Sequence, residues 1–340
     1  MTRTRIGVVG LGFGQHHVHA LANMDEANLV AVADQQVDRL EPYARKYGVT
    51  TYRDGLEMLE QEHLDAVSLC VSPRWRRPLI EAAGQRGIPM FVEKPWAANV
   101  EQAREFAALC KYHHAQVMVG FSFRFLPAIV RLQELLEGEL GAGWLINGDY
   151  IFDWLPPSDF WLWDRQNGGG YFNENSCHLF DAVCTLLGEP VSVFAQGHAF
   201  LGSPSEEVAA VVLRFDSGAS AALTVGGLGT TAFRGFPRLD IITAHGQAQL
   251  SGHEHLWDTL AWTLRGHATA TTYAAAPEIL DTTRYSRALQ HFIHCVQTGA
   301  APQATIQHGM RTVAIAEAIY ESIRSGAPVR LETQPARRVG

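Results

Sequence analysis

Hydrophobic positions in the first third of the chain fall into five short runs, and each run ends in a turn signal. Segments with apolar residues at helical spacing lie between the runs, such as PLIEAAGQRG and NVEQAREFAALCKYH. Apolar strands separated by helices of this length are typical of βαβ units in a parallel, doubly wound sheet. We therefore predict an α/β fold with an N-terminal Rossmann domain at residues 1–123. The five runs are residues 5–10, 29–34, 66–72, 89–95 and 115–121.

Beyond Phe123 the runs become longer and alternate between apolar and polar residues, as expected of half-buried strands. Turn-forming residues interrupt them at Asp216-Ser217-Gly218 and at His245-Gly246, where hairpins are expected. The pattern predicts an open, mainly antiparallel sheet. Its strand segments are residues 145–152, 191–200, 209–225 and 238–252.

Two helices are predicted after these strands, at residues 283–298 and 306–325. Gly299 and Gly326 are placed to end them, because glycine adopts the left-handed conformation that commonly follows a helix. Together the large open sheet and the helices predict a C-terminal α/β domain at residues 124–340.

A polar stripe is predicted on a helix that follows the glycine run at residues 168–170. Glu174, His178 and Asp181 are spaced i, i+4 and i+7, so they fall on one side of an α-helix. The stripe has two interpretations, a solvated surface or a functional pairing of a carboxylate with an imidazole, and the segment alone favours neither. The apolar residues on the opposite side are Leu179, Val183, Leu186 and Leu187.

Composition narrows the class of protein. Of the 340 residues, 47% are hydrophobic and 18% are charged, which is typical of a globular protein with two domains. The formal net charge is −8 and no run is rich in Lys and Arg, so we expect neither a nucleic-acid partner nor a membrane partner. No run is long enough to span a bilayer, and five cysteines without a Cys-x-x-Cys pair fit a reducing compartment. These features favour a cytoplasmic protein.

The segment GVVGLGFG places Gly10 and Gly12 directly after the first predicted strand. A dinucleotide fold needs glycine there, because the backbone must approach a pyrophosphate at the N-terminus of a helix. The third position of the fingerprint is Gln15, and Gly14 lies one residue early. Asp34 lies 22 residues after Gly12, at the end of the second predicted strand, where it is placed to bind the adenosine ribose.

The residues around Asp34 favour NAD over NADP. A carboxylate repels a 2′-phosphate, Gln35 is neutral, and no arginine follows immediately. The alternative to a dinucleotide site is a purely structural role, in which a glycine turn is followed by an ordinary surface aspartate.

Histidine pairs raise the possibility of a metal site, at HHVH (16–19) and at HEH (253–255). The two groups are far apart in the sequence, and neither His16 nor His17 has an accompanying set of Cys or carboxylate ligands. We therefore predict that the protein has no metal site.

Several segments resemble, in order, the glucose-fructose oxidoreductase and inositol 2-dehydrogenase family (Gfo/Idh/MocA), over nearly the whole chain. The segments are FVEKPWAANVEQA, VGFSFRFLPA, the glycine run before ENSCHLFDAVCTLLGEP, and AIAEAIYESIRSGAPVRL. The resemblance implies a Rossmann domain, a nicotinamide cofactor and a substrate that is a sugar, a polyol or a sugar derivative. It also implies a homodimer or homotetramer assembled through the open C-terminal sheet.

The resemblance also implies residue roles. Lys94 matches the catalytic lysine of the family, and the Lys94-Pro95 bond is expected to be cis. The family motif Asp-x-Gly-x-His matches Glu174-x-Ser176-x-His178, with Glu in place of Asp and Ser in place of Gly. Together with the glycine fingerprint, the resemblance predicts the residues that bind the cofactor. They are Gly10, Gly12, Phe13, Gly14, Asp34, Gln35, Ser72, Pro73, Glu93 and Lys94.

Two further positions depart from the family pattern. Arg77 stands where the family often has a histidine, and Trp161-Leu162 replaces a common Trp-Arg pair. The departures put a polar contact to cofactor or substrate in doubt at both positions.

The predicted catalytic residues are Lys94, His178 and Glu174. We expect His178 to accept the proton of a substrate hydroxyl and Lys94 to donate a hydrogen bond to the same oxygen. Glu174 would hold a neighbouring hydroxyl or orient His178. Substrate contacts are also predicted for Arg124, Trp161 and Trp163, for which structural roles are equally open alternatives.

Three classes of function fit these residues. The first is a sugar or polyol dehydrogenase that releases its cofactor, and the pattern favours it. The second is an enzyme that retains its cofactor and oxidises glycosides or sugar pairs transiently. The third is an NAD-sensing protein without turnover, against which the presence of Lys94 and His178 counts.

Overall fold

The structure is a computed structural model that describes residues 3–230, 232, 237–252, 257–275 and 280–332. The chain forms two compact units. The first comprises the residues up to Phe125, Arg165–Gly168 and Asp281–Val313, and the second comprises Leu126–Asp164, Gly169–Leu280 and the residues from Ala314 onward. The assignment of cofactor binding to residues 1–123 and of substrate binding to residues 124–340 stays a prediction.

A parallel sheet forms the centre of the first unit. Its strands are β1 (Thr4–Val9), β2 (Ala27–Ala33), β3 (Thr50–Tyr52), β4 (Ala66–Leu69), β5 (Met90–Val92) and β6 (Val117–Val119). The helices between them are α1 (Leu11–Ala22), α2 (Glu41–Tyr47), α3 (Gly55–Gln61), α4 (Arg76–Gln85) and α5 (Val100–Tyr112). The strand order β3-β2-β1-β4-β5-β6 is that of a doubly wound fold, in which ligands bind beyond the carboxyl ends of the strands.

The predicted Rossmann fold is confirmed, and each of the five predicted apolar runs overlaps one strand. The sequence pattern missed β3, a three-residue strand with the sequence TTY at the edge of the sheet. An edge strand pairs on one side only and is less buried than its neighbours, so its sequence carries little hydrophobic signal.

The second unit is built on a larger sheet. Its elements are α6 (Pro127–Glu137), β7 (Gly143–Ile151), α7 (Tyr171–Glu174), α8 (Cys177–Leu187), β8 (Pro190–His198), β9 (Val208–Phe215), β10 (Ser220–Gly226), β11 (Arg238–Thr243), β12 (Gly246–Ser251), β13 (Thr259–Leu264) and β14 (Thr271–Ala274). The last elements of the chain are α9 (Leu280–Thr298), α10 (Ile306–Ser325) and β15 (Val329–Arg330).

The strand order of this sheet is β14-β13-β12-β11-β7-β10-β9-β8-β15 in the described residues. Its neighbouring strands run antiparallel, as predicted, with one exception. β10 pairs in parallel with β7, from Ser220 opposite Leu145 to Gly226 opposite Ile151. β7 lies between β10 and β11 in the sheet, although it precedes both along the chain. The order of the strands in the sequence therefore did not reveal the parallel pairing.

The predicted turns and helix ends are confirmed. The β9–β10 hairpin turns at Gly218, whose φ of +87° is the left-handed conformation that glycine tolerates. Gly299 and Gly326 follow α9 and α10 with φ of +74° and +67°. None of the helices in the described ranges is long and apolar enough to cross a membrane.

Candidate active site

The glycine loop lies between β1 and α1, at the carboxyl edge of the parallel sheet. Gly10 has a φ of +88°, and a Cβ atom there would lie 2.8 Å from the carbonyl oxygen of Cys70. At Gly12 a Cβ would meet only Nη1 of Arg39, at 3.4 Å. Gly10, the N-cap residue of α1, has no side chain to cap the helix. The first N–H groups of a helix lack partners within the helix, so this open end fits the pyrophosphate of a dinucleotide.

Gly14 has the role of the third fingerprint glycine. A Cβ atom at Gly14 would lie 3.1 Å from both Cβ of Cys70 and Cγ1 of Val8, so glycine permits the close packing of helix on strand that the fingerprint requires. Gln15, the residue at the expected third position, is exposed. The close packing expected of the third fingerprint residue is therefore provided by Gly14, one residue earlier than the standard spacing.

Asp34 lies directly after β2 and is fixed by backbone hydrogen bonds. The N–H of Leu11 donates to its Oδ2 at 2.6 Å, and the N–H of Gln36 donates to its Oδ1 at 2.8 Å. These contacts join the acid to the start of α1, as expected for a ribose ligand beside the glycine loop. Gln35 is exposed at the same edge.

Arg39 is a residue that the sequence analysis missed. Its Nη1 lies 3.5 Å from Oδ2 of Asp34 and 3.4 Å from the position of a Cβ at Gly12. The analysis considered only the residues immediately after Asp34, whereas the turn that follows β2 returns Arg39 to the loop. The signal that could have identified Arg39 is an arginine within one short turn of Asp34, the aspartate predicted to bind the ribose.

The other predicted cofactor residues of the first unit lie near the same sheet edge. Phe13 is in the first turn of α1 and is partly exposed. Ser72 follows β4, and the buried Pro73 begins a short 3₁₀ turn. Val71, beside them, would contact a Cβ at Gly10. The cofactor roles of these residues stay predictions.

Glu93 and Lys94 follow β5. Glu93 is 5% exposed, and its Oε2 accepts a hydrogen bond of 3.0 Å from the backbone N–H of Lys94. The expected cis bond between Lys94 and Pro95 is confirmed. A Cβ at Gly120 would lie 2.7 Å from Oε1 of Glu93, so glycine on the neighbouring chain segment makes room for the carboxylate.

His17 lies fully buried behind this carboxylate. Its Nε2 is 3.1 Å from Oε1 of Glu93, and its Nδ1 is 2.8 Å from Oγ of Ser68 and 3.4 Å from Sγ of Cys70. Burial disfavours the imidazolium, but the charges and hydrogen bonds of Cys70 and Glu93 outweigh it and raise the pKa of His17 to about 10. Tyr285, from α9, packs against the same imidazole at 6.0 Å between ring centres.

The described residues contain no group of three or more His, Cys, Asp and Glu side chains placed to hold a metal ion. His17, of the HHVH segment, is engaged with Glu93 and Ser68. The HEH segment at 253–255 lies outside the described residues.

Arg76 joins the ends of two strands. It is 1% exposed, its Nε donates to the carbonyl oxygen of Val71 at 2.9 Å, and its Nη1 donates to the carbonyl oxygens of Pro95 and Trp96. Arg77, in contrast, is exposed and forms surface ion pairs with two glutamates. The guanidinium of Arg76 therefore ties the segment after β4 to the segment that contains Lys94.

In the second unit, the glycine run leads into α7. Gly169 and Gly170 have φ of +84° and +82°. A Cβ at Gly170 would overlap the phenol of Tyr320, whose oxygen accepts a hydrogen bond of 3.2 Å from the N–H of Phe172. Glycine is required here by conformation and by this close approach.

The predicted single helix is two helices. α7 ends at Glu174, α8 begins at Cys177, and Ser176 between them has φ −87° and ψ −5°. The local departure from helical geometry interrupts the i, i+4 register between Glu174 and His178. Asp181 is 1% exposed, and Glu174 and His178 are half-buried. The interpretation of the stripe as a solvated surface is therefore wrong at Asp181, because packing encloses both sides of α8.

The remaining predicted substrate residues differ in burial. Trp163 is 6% exposed and its Nε1 donates to the carbonyl oxygen of Pro157 at 3.0 Å, which favours a structural role in the second unit. Trp161 is half-buried, and its substrate contact stays a prediction. Arg124, in the first unit, is 8% exposed and donates to the carbonyl oxygen of Gln303 at 2.7 Å, which also favours a structural role.

Known proteins of similar sequence or structure match nearly the whole chain. The D-apiose dehydrogenase of Paraburkholderia graminis is 28% identical over 98% of this chain and 91% of its own length. The scyllo-inositol 2-dehydrogenase (NAD(+)) of Bacillus subtilis is 28% identical over 98% of both. An oxidoreductase from Agrobacterium radiobacter, crystallised with NAD+, L-tartaric acid and magnesium, has a TM-score of 0.84 at 21% identity over 97% of this chain and 98% of that one.

Three family models match consecutive parts of the sequence. The model described as an oxidoreductase family with an NAD-binding Rossmann fold matches residues 4–121. The GFO/IDH/MocA C-terminal domain matches residues 129–249, and the C-terminal α/β domain of the oxidoreductase family matches residues 263–331. Since all three models describe domains of one family and follow one another along the chain, the protein belongs to the Gfo/Idh/MocA family of oxidoreductases.

Proposed function

We propose that this protein is an NAD(P)-dependent dehydrogenase that transfers a hydride between nicotinamide and a hydroxyl-bearing carbon of a sugar, a polyol or a sugar derivative. The observation that carries the proposal lies within the first unit. Lys94 follows β5 at the same sheet edge at which Gly10 and Gly12 leave the N-terminus of α1 open. The relatives named for apiose and inositol support the substrate class.

Three side chains of the chain itself carry the proposed chemistry, and the nicotinamide, when bound, supplies the hydride acceptor or donor. His178 accepts the proton of the substrate hydroxyl, a role that suits imidazole because it exchanges protons near neutral pH. Lys94 donates a hydrogen bond to the same oxygen and stabilises the charge that develops on it. Glu174 accepts a hydrogen bond from a neighbouring hydroxyl or orients His178.

NAD is the proposed cofactor, in preference to NADP. The support is Asp34, whose carboxylate is held at the start of α1 and would repel a 2′-phosphate. The position of Arg39 beside this carboxylate favours some tolerance of NADP.

The proposed assembly is a cytoplasmic homodimer or homotetramer that buries the open face of the large sheet. Side chains alternate along β9, so that Ala210, Val212 and Arg214 share one exposed face. Leu145 and Val212 are 44% and 46% exposed. Exposed apolar side chains on a sheet of this size favour a protein partner. A charge introduced by Val212→Glu should lower the molecular mass measured by light scattering.

The first experiment is an absorbance screen at the reduced-nicotinamide band, with aldoses, inositols and sugar acids and with NAD and NADP tested separately. We expect reduction with one stereochemical group of substrates. Turnover should be lost in Lys94→Ala and should fall by about 10²-fold or more in His178→Asn. If no sugar is oxidised and the denatured protein releases NAD, the proposal is wrong and the cofactor-retaining class replaces it.

A further inference from the structure

A buried chain of polar side chains runs from β4 to the backbone of Lys94. Ser68 Oγ contacts Nδ1 of His17, Nε2 of His17 contacts Oε1 of Glu93, and Oε2 of Glu93 accepts from the N–H of Lys94. His17 is 0% exposed and Glu93 is 5% exposed. The proposed chemistry makes no use of His17, yet the contacts of its ring lead directly to the proposed catalytic lysine.

Burying His17 beside Glu93 has a cost in free energy and in packing. Burying two ionisable groups costs free energy that a pair of apolar residues of the same volume would not cost. A Cβ at Gly120 would lie within 2.7 Å of Oε1 of Glu93, so that a larger residue at Gly120 is excluded. Aromatic rings enclose the imidazole, with Phe91 at 5.2 Å and Tyr285 at 6.0 Å between ring centres. His17 is therefore held in one orientation.

We propose that His17 is a positioning residue for Lys94: its Nε2–H holds Oε1 of Glu93, and the fixed carboxylate keeps Oε2 on the backbone N–H of Lys94. The inference rests on the proposed function, in which the ammonium of Lys94 contacts the reacting oxygen. A small rotation of the backbone at Lys94 moves that ammonium at the end of a four-carbon chain. A misplacement of about 1 Å is enough to slow a reaction about 10²-fold.

The two nitrogens of His17 have different partners, so two substitutions separate them. The amide nitrogen of His17→Gln reaches the place of Nε2 and retains a donor for Glu93. The shorter His17→Asn reaches only the place of Nδ1, whose partner is Ser68. His19→Asn is the matched control, since His19 is exposed on the same helix. His17→Phe keeps a ring without a donor and replaces His17→Asn if that variant does not fold.

The direct readout is residue-resolved hydrogen exchange of the Lys94 amide, which needs no turnover. In His17→Asn we expect exchange at Lys94 to be about tenfold faster or more, and in His17→Gln and His19→Asn we expect it to stay within about threefold of wild type. Equal exchange rates in His17→Asn and His17→Gln would overturn the proposal.

The kinetic readout uses the sugar and cofactor that the screen identifies. We expect kcat to fall about tenfold or more in His17→Asn with KM for NAD nearly unchanged, and to recover in His17→Gln. A kcat in His17→Gln as low as that in His17→Asn would overturn the proposal. Should the wild type oxidise no sugar, the proposed function fails while the exchange experiment still decides the role of His17.

Discussion

Nη1 of Arg39 lies 3.5 Å from Oδ2 of Asp34, at the edge of the glycine loop. The arginine side chain is 43% exposed, whereas the aspartate side chain is 8% exposed. The carboxylate is therefore the buried partner and the guanidinium the exposed one, and the two have opposite effects on a 2′-phosphate.

This pair predicts a change in cofactor preference. Asp34→Ser should raise the ratio of kcat/KM for NADP to that for NAD by about tenfold or more, because it removes the repulsion and leaves Arg39 able to contact a phosphate. Arg39→Ala should lower the same ratio. Steady-state kinetics with both cofactors measure it. An unchanged ratio in both variants would show that the discriminating contact lies elsewhere.

Gly12 and Gly14 should respond differently to the same substitution. Gly14→Ala places a methyl group 3.1 Å from Val8 and Cys70, and this overpacking should cost about 1–3 kcal/mol of unfolding free energy. Gly12→Ala meets only the far end of Arg39, so we expect no loss of Tm but weaker NAD binding. Thermal unfolding and cofactor titration separate the two effects. A larger loss of Tm in Gly12→Ala would contradict the assignment of the third glycine.

Arg76 should contribute far more to stability than its neighbour Arg77. Arg76→Met leaves the carbonyl oxygens of Val71, which is half-buried, and of Trp96, which is buried, without this donor, and the loss should cost about 2–4 kcal/mol. Arg77→Met removes only exposed ion pairs and should leave the unfolding free energy nearly unchanged. Urea unfolding of both variants tests the contrast, and equal effects would refute it.

The buried imidazole predicts a pH dependence of stability. The pKa of His17 is raised from 6.5 to about 10 on folding, so its contribution is complete below pH 6.5 and is lost as the pH rises toward 10. The groups that face it are Glu93, Cys70 and Tyr285. Urea unfolding between pH 6.5 and 10 should show a steeper decline for wild type than for His17→Gln. Parallel curves would mean that His17 is neutral in the folded protein.

The sequence predicted those parts of the site that depend on neighbours in the chain. The strand and glycine pattern predicted the loop at Gly10 and Gly12, and local spacing predicted Asp34 after β2. The resemblance to the family predicted the cis bond at Lys94-Pro95. The loop and Asp34 are specified by residues within one βαβ unit, where periodicity and turn chemistry operate.

The sequence did not predict contacts between distant segments. His17 and Glu93 are 76 residues apart, and no periodic pattern relates them. The parallel pairing of β7 with β10 likewise depends on where the whole sheet inserts a strand. Arg39 was missed because only a turn of specific geometry returns it to Asp34. The assignments of His178 and Glu174 rest on the family motif and stay predictions.

The first unit takes part of its interior from the C-terminal part of the chain. The N–H of Val119 donates to the carbonyl oxygen of Ala304, and Gly309 lies so close to Trp96 that a Cβ there would be 2.7 Å from Cβ of the tryptophan. Phe292 packs edge-on against Phe91 under β5. During synthesis on the ribosome, the first sheet therefore emerges long before the residues that complete its core. The part of the protein that is translated first therefore cannot complete its core until α9 and the start of α10 have been synthesised.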